Sequence, residues 1–395
     1  MVCRVYSFGG IDSSKEHEGI HLKSWRYNTV ADTWQSIPTL PDTMGKIAAA
    51  ASRIGDTIFI IGGYHVFAGG NEASSSRIHR YDIQSGSYLA DGANVPVPID
   101  DHVQCVWRDS LIYVMTGWSN NGNVTNVQIY NPSADSWQQG TPVPDKSNYK
   151  VFGASGAIVD DTIYYFGGAT MGFNFPISNV LLKGVIHPQQ PDSITWTDTV
   201  LQNNLTAYRT AATTVEDTIF WLGGSRTTYN FDGIAYDGPG GGEPADQLFA
   251  YMPSTGNWWV DTLNLPMDLR GVAATSDSER YLVGGMVASQ QVTDSVVKSE
   301  WPTLTSNEAQ RFFEKQSEEG GKVYPNPASE IINILLESSA QRVTLYNLIG
   351  QKVKKRNIAN DKQLSLNVGD LEDGVYLIRL DGSGQAKHEK VIISE

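Results

Sequence analysis

The sequence predicts an all-β chain of 395 residues, a six-bladed β-propeller (seven blades possible) followed by a small Ig-like β-sandwich. Three recurring marks predict the propeller. Glycine doublets, one of them degenerate, stand at Gly9-Gly10, Gly62-Gly63, Gly117-Trp118, Gly167-Gly168, Gly223-Gly224 and Gly284-Gly285, each after an apolar run such as TIFII or TIYYF. An aromatic recurs seven positions after a tyrosine, in Tyr27/Trp34, Tyr81/Tyr88, Tyr130/Trp137 and Tyr251/Trp258. The pairs Asp56-Thr57, Asp109-Ser110, Asp161-Thr162 and Asp217-Thr218 open apolar strands. A period of about 50 residues with several short strands per unit indicates a toroidal β-repeat.

Each mark justifies one element of a blade. The small-residue runs AAAASRI and RTAATTV suit slim inner strands that crowd a central axis. The Asp-Ser/Thr pair turns the chain into the apolar second strand, and the glycines let it leave through dihedrals that a Cβ forbids. The turn formers NTVADT, DIQSGS, NPSADS and MPSTGN join two outer strands. The returning aromatic then fills the wedge between neighbouring sheets, burying roughly 150 Å² or more. The chain opens on a second-strand pattern, VCRVYSF. The first blade's inner strand is therefore expected from the C-terminal side or from residues outside this sequence, since closure removes exposed edges.

The doublet, the Tyr-x6-Trp pair and the period together resemble kelch repeats over residues 1–300. The segment 301–321 reads as a linker. Residues 322–395 hold short alternating strands suited to a small sandwich. Here Tyr324-Pro325-Asn326-Pro327, a VTLYNLIG run containing Tyr346 and Gly350, an LEDGVYLIRL run containing Gly374 and Tyr376, and a last strand with Lys390 occur in order. This order resembles the type A C-terminal sorting domain of the Bacteroidetes type IX secretion system. The resemblance implies export to the medium or the outer-membrane surface, with the secretion machinery as partner. Because MVCRVYSFGG starts in mid-blade without a signal peptide, a truncated N-terminus is expected.

Composition narrows the partners. The net charge is −14, and residues 322–395 hold ten Lys/Arg against nine Asp/Glu, which leaves −15 on the remainder. That excludes nucleic-acid binding by charge. No stretch is apolar enough to span a membrane. Cys3 and Cys105 fall in different blades and are not expected to pair. Asp-Ser/Thr-aliphatic triplets at Asp42, Asp56, Asp109, Asp161, Asp192, Asp198, Asp217, Asp261 and Asp294 resemble a Bacteroidetes O-glycosylation sequon, although turn chemistry explains those at the hairpins.

The loops that leave the second strands share one face with those leading into the next blades. Phe173, Phe175, Tyr229, Phe231 and Tyr236 make the 169–178 and 225–246 loops aromatic, which suits a sugar or peptide surface. Tyr64, His65 and Arg226 sit in neighbouring loops. Lys46, His102, Lys150, Arg209 and Arg270 precede successive inner strands, and as a ring around the channel mouth they would offer donors to an acidic group. The expected role is non-catalytic recognition of a glycan or surface protein, with no catalytic residue, metal or cofactor assigned. The alternative implied by the kelch resemblance is a carbohydrate-active enzyme, most concretely one like the sialic acid mutarotases. A copper-radical oxidase, which the same resemblance admits, would need Tyr64, His65, His102 and Cys105 to converge. The carboxylates Asp232, Asp237, Glu243 and Asp246 lack the alternation of a calcium loop.

Overall fold

The computed structural model describes residues 4–201, 205–238, 240–275, 279–300, 323–335, 340–347, 352–358, 363–382 and 387–394. Two compact units emerge, Met1–Pro302 and Thr303–Glu395.

In the first unit six antiparallel sheets follow one another as blades. The first holds three strands, β1 (Arg4–Ile11), β2 (Ile20–Asn28) and β3 (Thr33–Ile37). The second begins with β4 (Ile47–Ile54) and β5 (Thr57–Val66), then Ile78–Asp82 and Ser87–Tyr88. The third (Val103–Trp107 to Ser136–Gln139), fourth (Ser155–Val159 to Gln190–Val200) and fifth (Ala211–Val215 to Asn257–Thr262) each have four principal strands in sequence order. The sixth pairs Ala274–Thr275, Glu279–Val283 and Val296–Glu300. Slim strands rich in Gly, Ala, Ser and Thr are innermost in the second, fourth and fifth blades, while the third has VQCVW.

The aromatic pairs do what their spacing implies. Tyr27 meets Trp34 at 5.1 Å between ring centroids, Tyr130 meets Trp137 at 5.0 Å, and Tyr251 meets Trp258 at 4.9 Å. Trp258 also stacks on the fully buried Trp221, and both pack on Phe166 of the fourth blade. Among the described residues the first and sixth blades meet in side-chain packing: Val5 and Tyr27 share a buried cluster with Tyr281. Among the described residues, no strand joins the inner edge of β1. The inner strand expected there is therefore not supplied by any described part of the chain.

The glycine doublets work by close approach. Gly167 has φ +76°, and a Cβ on it would lie 2.2 Å from the Ala207 carbonyl oxygen. Gly167→Ala is expected to destabilise the unit by about 1–3 kcal/mol, read by denaturant unfolding. Gly55→Ala isolates the backbone part of that cost, because Gly55 is also at positive φ but has open space around it.

The second unit is two antiparallel sheets over one core. Val323–Tyr324, Ile331–Leu335 and Gln363–Asn367 form one, and Lys352–Asn357, Ala340–Asn347, Gly374–Gly382 and Lys387–Ile393 form the other. Ile332, Ile334, Val343, Leu345, Ile378 and Val391 are buried between them. The Tyr324–Pro327 motif holds the last strand: Ile392 N–H donates to Asn326 Oδ1 at 2.8 Å, and Ala328 N–H donates to the Ile392 carbonyl at 2.9 Å. Gln363 donates to the Tyr324 hydroxyl, and the Tyr376 hydroxyl donates to the Glu372 carbonyl. Tyr346 lies in the Ala340–Asn347 strand, Gly374 opens the next, and Lys390 pairs in register with Leu377. Gly350 and Cys3 lie outside the described residues. Cys105 is a buried free thiol. Among the described residues no helix is long and apolar enough to cross a membrane.

Candidate functional site

The inner strands begin with residues in the left-handed region: Ala48 (φ 57°), Asp101 (φ 45°), Gly153 (φ 69°), Arg209 (φ 52°) and Arg270 (φ 36°). This backbone is costly for a residue with a Cβ and persists where its surroundings enforce it. Here the enforcement is a girdle of hydrogen bonds from blade to blade around the axis. Asp101 N–H donates to the Ala48 carbonyl (3.2 Å), Gly153 to Asp101 (2.8 Å), Arg209 to Gly153 (2.7 Å), and Leu269 to Arg209 (3.0 Å).

The girdle aims four charged side chains at one another. Arg209 Nη2 donates to Asp101 Oδ2 at 2.8 Å and its Nη1 stands 3.4 Å from Asp268 Oδ1. Arg270 Nε donates to Asp268 Oδ1 at 2.8 Å, and its Nη1 stands 3.4 Å from Asp101. The result is a closed square of alternating charge, with Arg209 and Asp101 almost fully buried. Burial alone would raise the Asp101 carboxyl, but the two guanidinium groups overrule it and hold it below its ordinary value. Arg209 also lies 4.8 Å above the Tyr208 ring and 5.1 Å from that of Tyr229.

Beside the square is a cavity of about 210 Å³, lined by Tyr64, Glu72, Asp100, Asp101, Trp118, Phe152, Phe175, Arg209, Asn230 and Tyr236. Four of these form one aromatic wall. Trp118 and Phe152 both contact Phe175, which meets Tyr236 at 4.8 Å. The acids are tuned by burial. Asp100, which accepts from the Ser74 hydroxyl at 2.5 Å, is pushed well up by burial and then by the Asp101 charge. Glu72 is also raised, again first by burial, so both favour the neutral, proton-bearing form more than a free acid does. The buried Tyr64 hydroxyl and Arg209 Nε have no hydrogen-bond partner. A buried polar atom left unpaired marks a place where a partner is missing.

The structure brings Tyr64, Arg209 and Tyr236 to this cavity, with Arg270 a corner of the square and Tyr229 packed against Arg209. The other candidates lie elsewhere. Lys46 is buried against Asp42 (3.1 Å) and His79 (3.0 Å). Lys150 pairs with Asp145, Arg226 is exposed and donates to Gln247, and Phe173 is 92% exposed. The cations thus form no open ring: each guanidinium at the mouth already has two carboxylates, so the site carries no excess positive charge for an acid. The copper-type grouping is not formed either. His65 bonds the Gly45 carbonyl, His102 bonds Gln104 and is pushed down to about 4 by burial, and Cys105 packs in an apolar cluster. Among the described residues no three His, Cys, Asp or Glu side chains gather as a metal site. In the 225–246 loop, Asp232 caps Ile234 and Glu243 accepts from Gln290 and Ser289.

Sequence reading missed Asp101, Asp268, Asp100 and Glu72. Only Asp268 left a trace, as an acid two positions before a candidate arginine.

Comparison with known proteins agrees with this architecture. Residues 3–224, more than half of the chain, match the family described as the KLHDC2/KLHL20/DRC7 Kelch-repeats domain, and residues 322–394 match the secretion system C-terminal sorting domain. Kelch-like protein terF of Aspergillus terreus is 29% identical over 128 residues, covering 30% of this chain and 26% of that protein. Kelch-like protein 36 of Bos taurus is 25% identical over 138 residues, covering 35% and 21%. The chain therefore spans about a quarter of the length of these curated relatives. The solved structure of YjhT superposes with a TM-score of 0.60 at 14% identity, covering 76% of this chain and 94% of the other, a likeness of fold.

Proposed function

Because the chain belongs to the kelch-repeat family and ends in a secretion-system sorting domain, we propose that it is an exported propeller that binds a glycan, without catalysis, in the cavity beside the charge square. The observation that carries this reading is the pairing of an aromatic wall (Trp118, Phe152, Phe175, Tyr236) with polar groups in one cavity of about 210 Å³. A sugar ring has an apolar face and a rim of hydroxyls, and such a cavity matches both. Asp100 and Glu72, whose carboxyls are both raised above their ordinary values, face the same cavity, while Tyr64 and Arg209 Nε offer unused donors. Since the square's charges cancel, a neutral sugar is favoured over an acidic one. Display in the medium or on the outer-membrane surface follows from the sorting domain.

The test is solution NMR of the full chain with a panel of sugars that includes sialic acid, reading saturation transfer and anomer exchange together. Saturation transfer to a neutral sugar is expected, with Trp118→Ala reducing affinity about tenfold or more, a loss of roughly 1.4 kcal/mol. Failure of transfer to every sugar from folded protein would end this reading.

A second reading rests on Glu72, whose raised carboxyl at the cavity edge suits a proton shuttle. It makes the protein an enzyme like the sialic acid mutarotases, opening and closing a sugar ring. Faster anomer exchange that disappears in Glu72→Gln would favour it. Exchange at the uncatalysed rate would leave binding alone.

A further inference from the structure

The long loop of the fifth blade supplies Asn230 and Tyr236 to the cavity beside the charge square. Its two roots are fixed. Ser225 exchanges backbone hydrogen bonds with Tyr208, and Ala245 N–H donates to the Gly224 carbonyl at 2.9 Å. Beyond these roots the chain bonds mainly to itself. Asn230 N–H donates to the Ile234 carbonyl, Gly233 N–H to that of Asn230, and Gly242 N–H to that of Gly233. The tip is therefore a compact body of its own on a narrow base.

This body reaches across the channel mouth to other blades. Phe231 packs against Ile20, Ile47, Ala48, Tyr64 and Val66 of the first two blades. Tyr236 meets Phe175, and the Thr228 hydroxyl donates to the Asn174 carbonyl at 3.0 Å, both on the loop of the fourth blade. From the sixth blade, Gln290 Nε2 donates to the Gly242 carbonyl at 2.9 Å and to Glu243 Oε1 at 2.7 Å. The fit there is close, since a Cβ on Gly241 would lie 1.9 Å from Gln290 Cδ. Ser289 and Gln290 both stand in the left-handed region (φ 60° and 53°). Such a backbone is strained and persists only where its surroundings hold it. Here Ser289 N–H donates to Glu243 Oε2 at 3.0 Å, so the strained turn and the loop hold each other.

The groups covered by this body are the unused donors of the cavity. The Tyr64 hydroxyl and Arg209 Nε are sealed from solvent without a hydrogen-bond partner. Tyr64 shares its cluster with Phe231, and the Arg209 guanidinium lies 5.1 Å from the Tyr229 ring at the root of the body. For a sugar to bond either atom, part of this cover has to move. We propose that residues 230–236 form a lid that opens to admit a ligand, with Gln290 as its latch. The inference rests on the cavity being the binding site. Gln290 is the point of release because its two hydrogen bonds are directional and break together. The apolar contacts of Phe231 and Tyr236 are non-directional and tolerate sliding. Lids of this kind time the entry and exit of a ligand.

The test reads opening without any sugar. Tyr64→Cys places a thiol under the lid, and iodoacetamide labels it only when the lid is open. The parent, whose described thiol Cys105 is buried, sets the background. Labelling of Tyr64→Cys is expected to be slow, and to become about tenfold faster or more when Gln290→Ala is added. In Gln290→Ala alone, with Tyr64 intact, amide exchange at Asn230, Gly233 and Gly242 is expected to accelerate by a similar factor. The inner-strand amides should keep their protection. This second measurement decides the matter if Tyr64→Cys does not fold. Equal labelling with and without the latch would overturn the proposal, as would immediate labelling with the latch intact. Acceleration shared by the inner-strand amides would indicate unfolding of the blades and would overturn it too. Silence of every sugar would end the glycan reading, whereas labelling and exchange decide the lid by themselves.

Discussion

Arg209→Ala destabilises the propeller unit by about 3–5 kcal/mol, as expected when one partner of a buried ion pair is removed. Asp101 is 3% exposed and would keep only Arg270, whose nearest nitrogen stands at 3.4 Å. The cost depends on pH, and its sign follows from the carboxyl. In the parent the guanidinium groups depress Asp101, so its contribution is present above the unfolded-state value and is lost as pH falls through the lower folded value. In Arg209→Ala, burial dominates and the carboxyl rises, so the folded state takes up a proton more readily than the unfolded one. The gap between variant and parent is therefore widest near neutrality and narrows as pH falls toward about 4. Denaturant unfolding at several pH values checks both the size and the slope. Arg209→Met combined with Asp101→Leu replaces charge by apolar bulk and is expected to recover part of the loss, because no lone charge remains.

Removing Lys387–Ile393 abolishes export while leaving the propeller unit folded. This strand covers the edge of Gly374–Gly382, contributes the buried Val391 and Ile393, and is tied to Asn326. Without it the sandwich loses part of its core and gains an open edge. In a host with the secretion machinery, the truncated protein is expected to remain inside the cell, in amounts matching those of the parent in medium and surface fractions together. Protease resistance of the retained propeller separates failed addressing from failed folding. Delivery of the truncated chain at the parent level would sink the assignment of this strand to the signal.

The propeller was legible because it repeats. A glycine at positive φ, a tyrosine and an aromatic seven residues later each serve a local need, and each recurs in register. The site was legible only in pieces. Arg209 and Arg270 stood out as cations before inner strands, but their partners did not, because Asp101 lies 108 residues from Arg209 and 169 from Arg270. Taken singly, an aspartate before a strand is a turn former. Only ring closure places the loops of the third, fifth and sixth blades within one hydrogen-bonding distance. Lys46 shows the reverse error: its position in the repeat suggested the mouth, while Asp42 and His79 hold it inside the wall. Phe173 and Phe175 were both read as part of an aromatic surface; Phe175 packs against Tyr236, while Phe173 is exposed.

The charge square has a consequence in time as well as in energy. Its bonds span 59, 108 and 169 residues of chain, and contacts that distant are rewarded only after the intervening loops have been ordered. They form once the sixth blade is in position, at the end of folding. Interactions absent from the transition state leave the folding rate almost untouched and lower the rate of escape from the native state. For a protein destined for a place without chaperones to refold it, slow unfolding is the form of stability that sets its working lifetime.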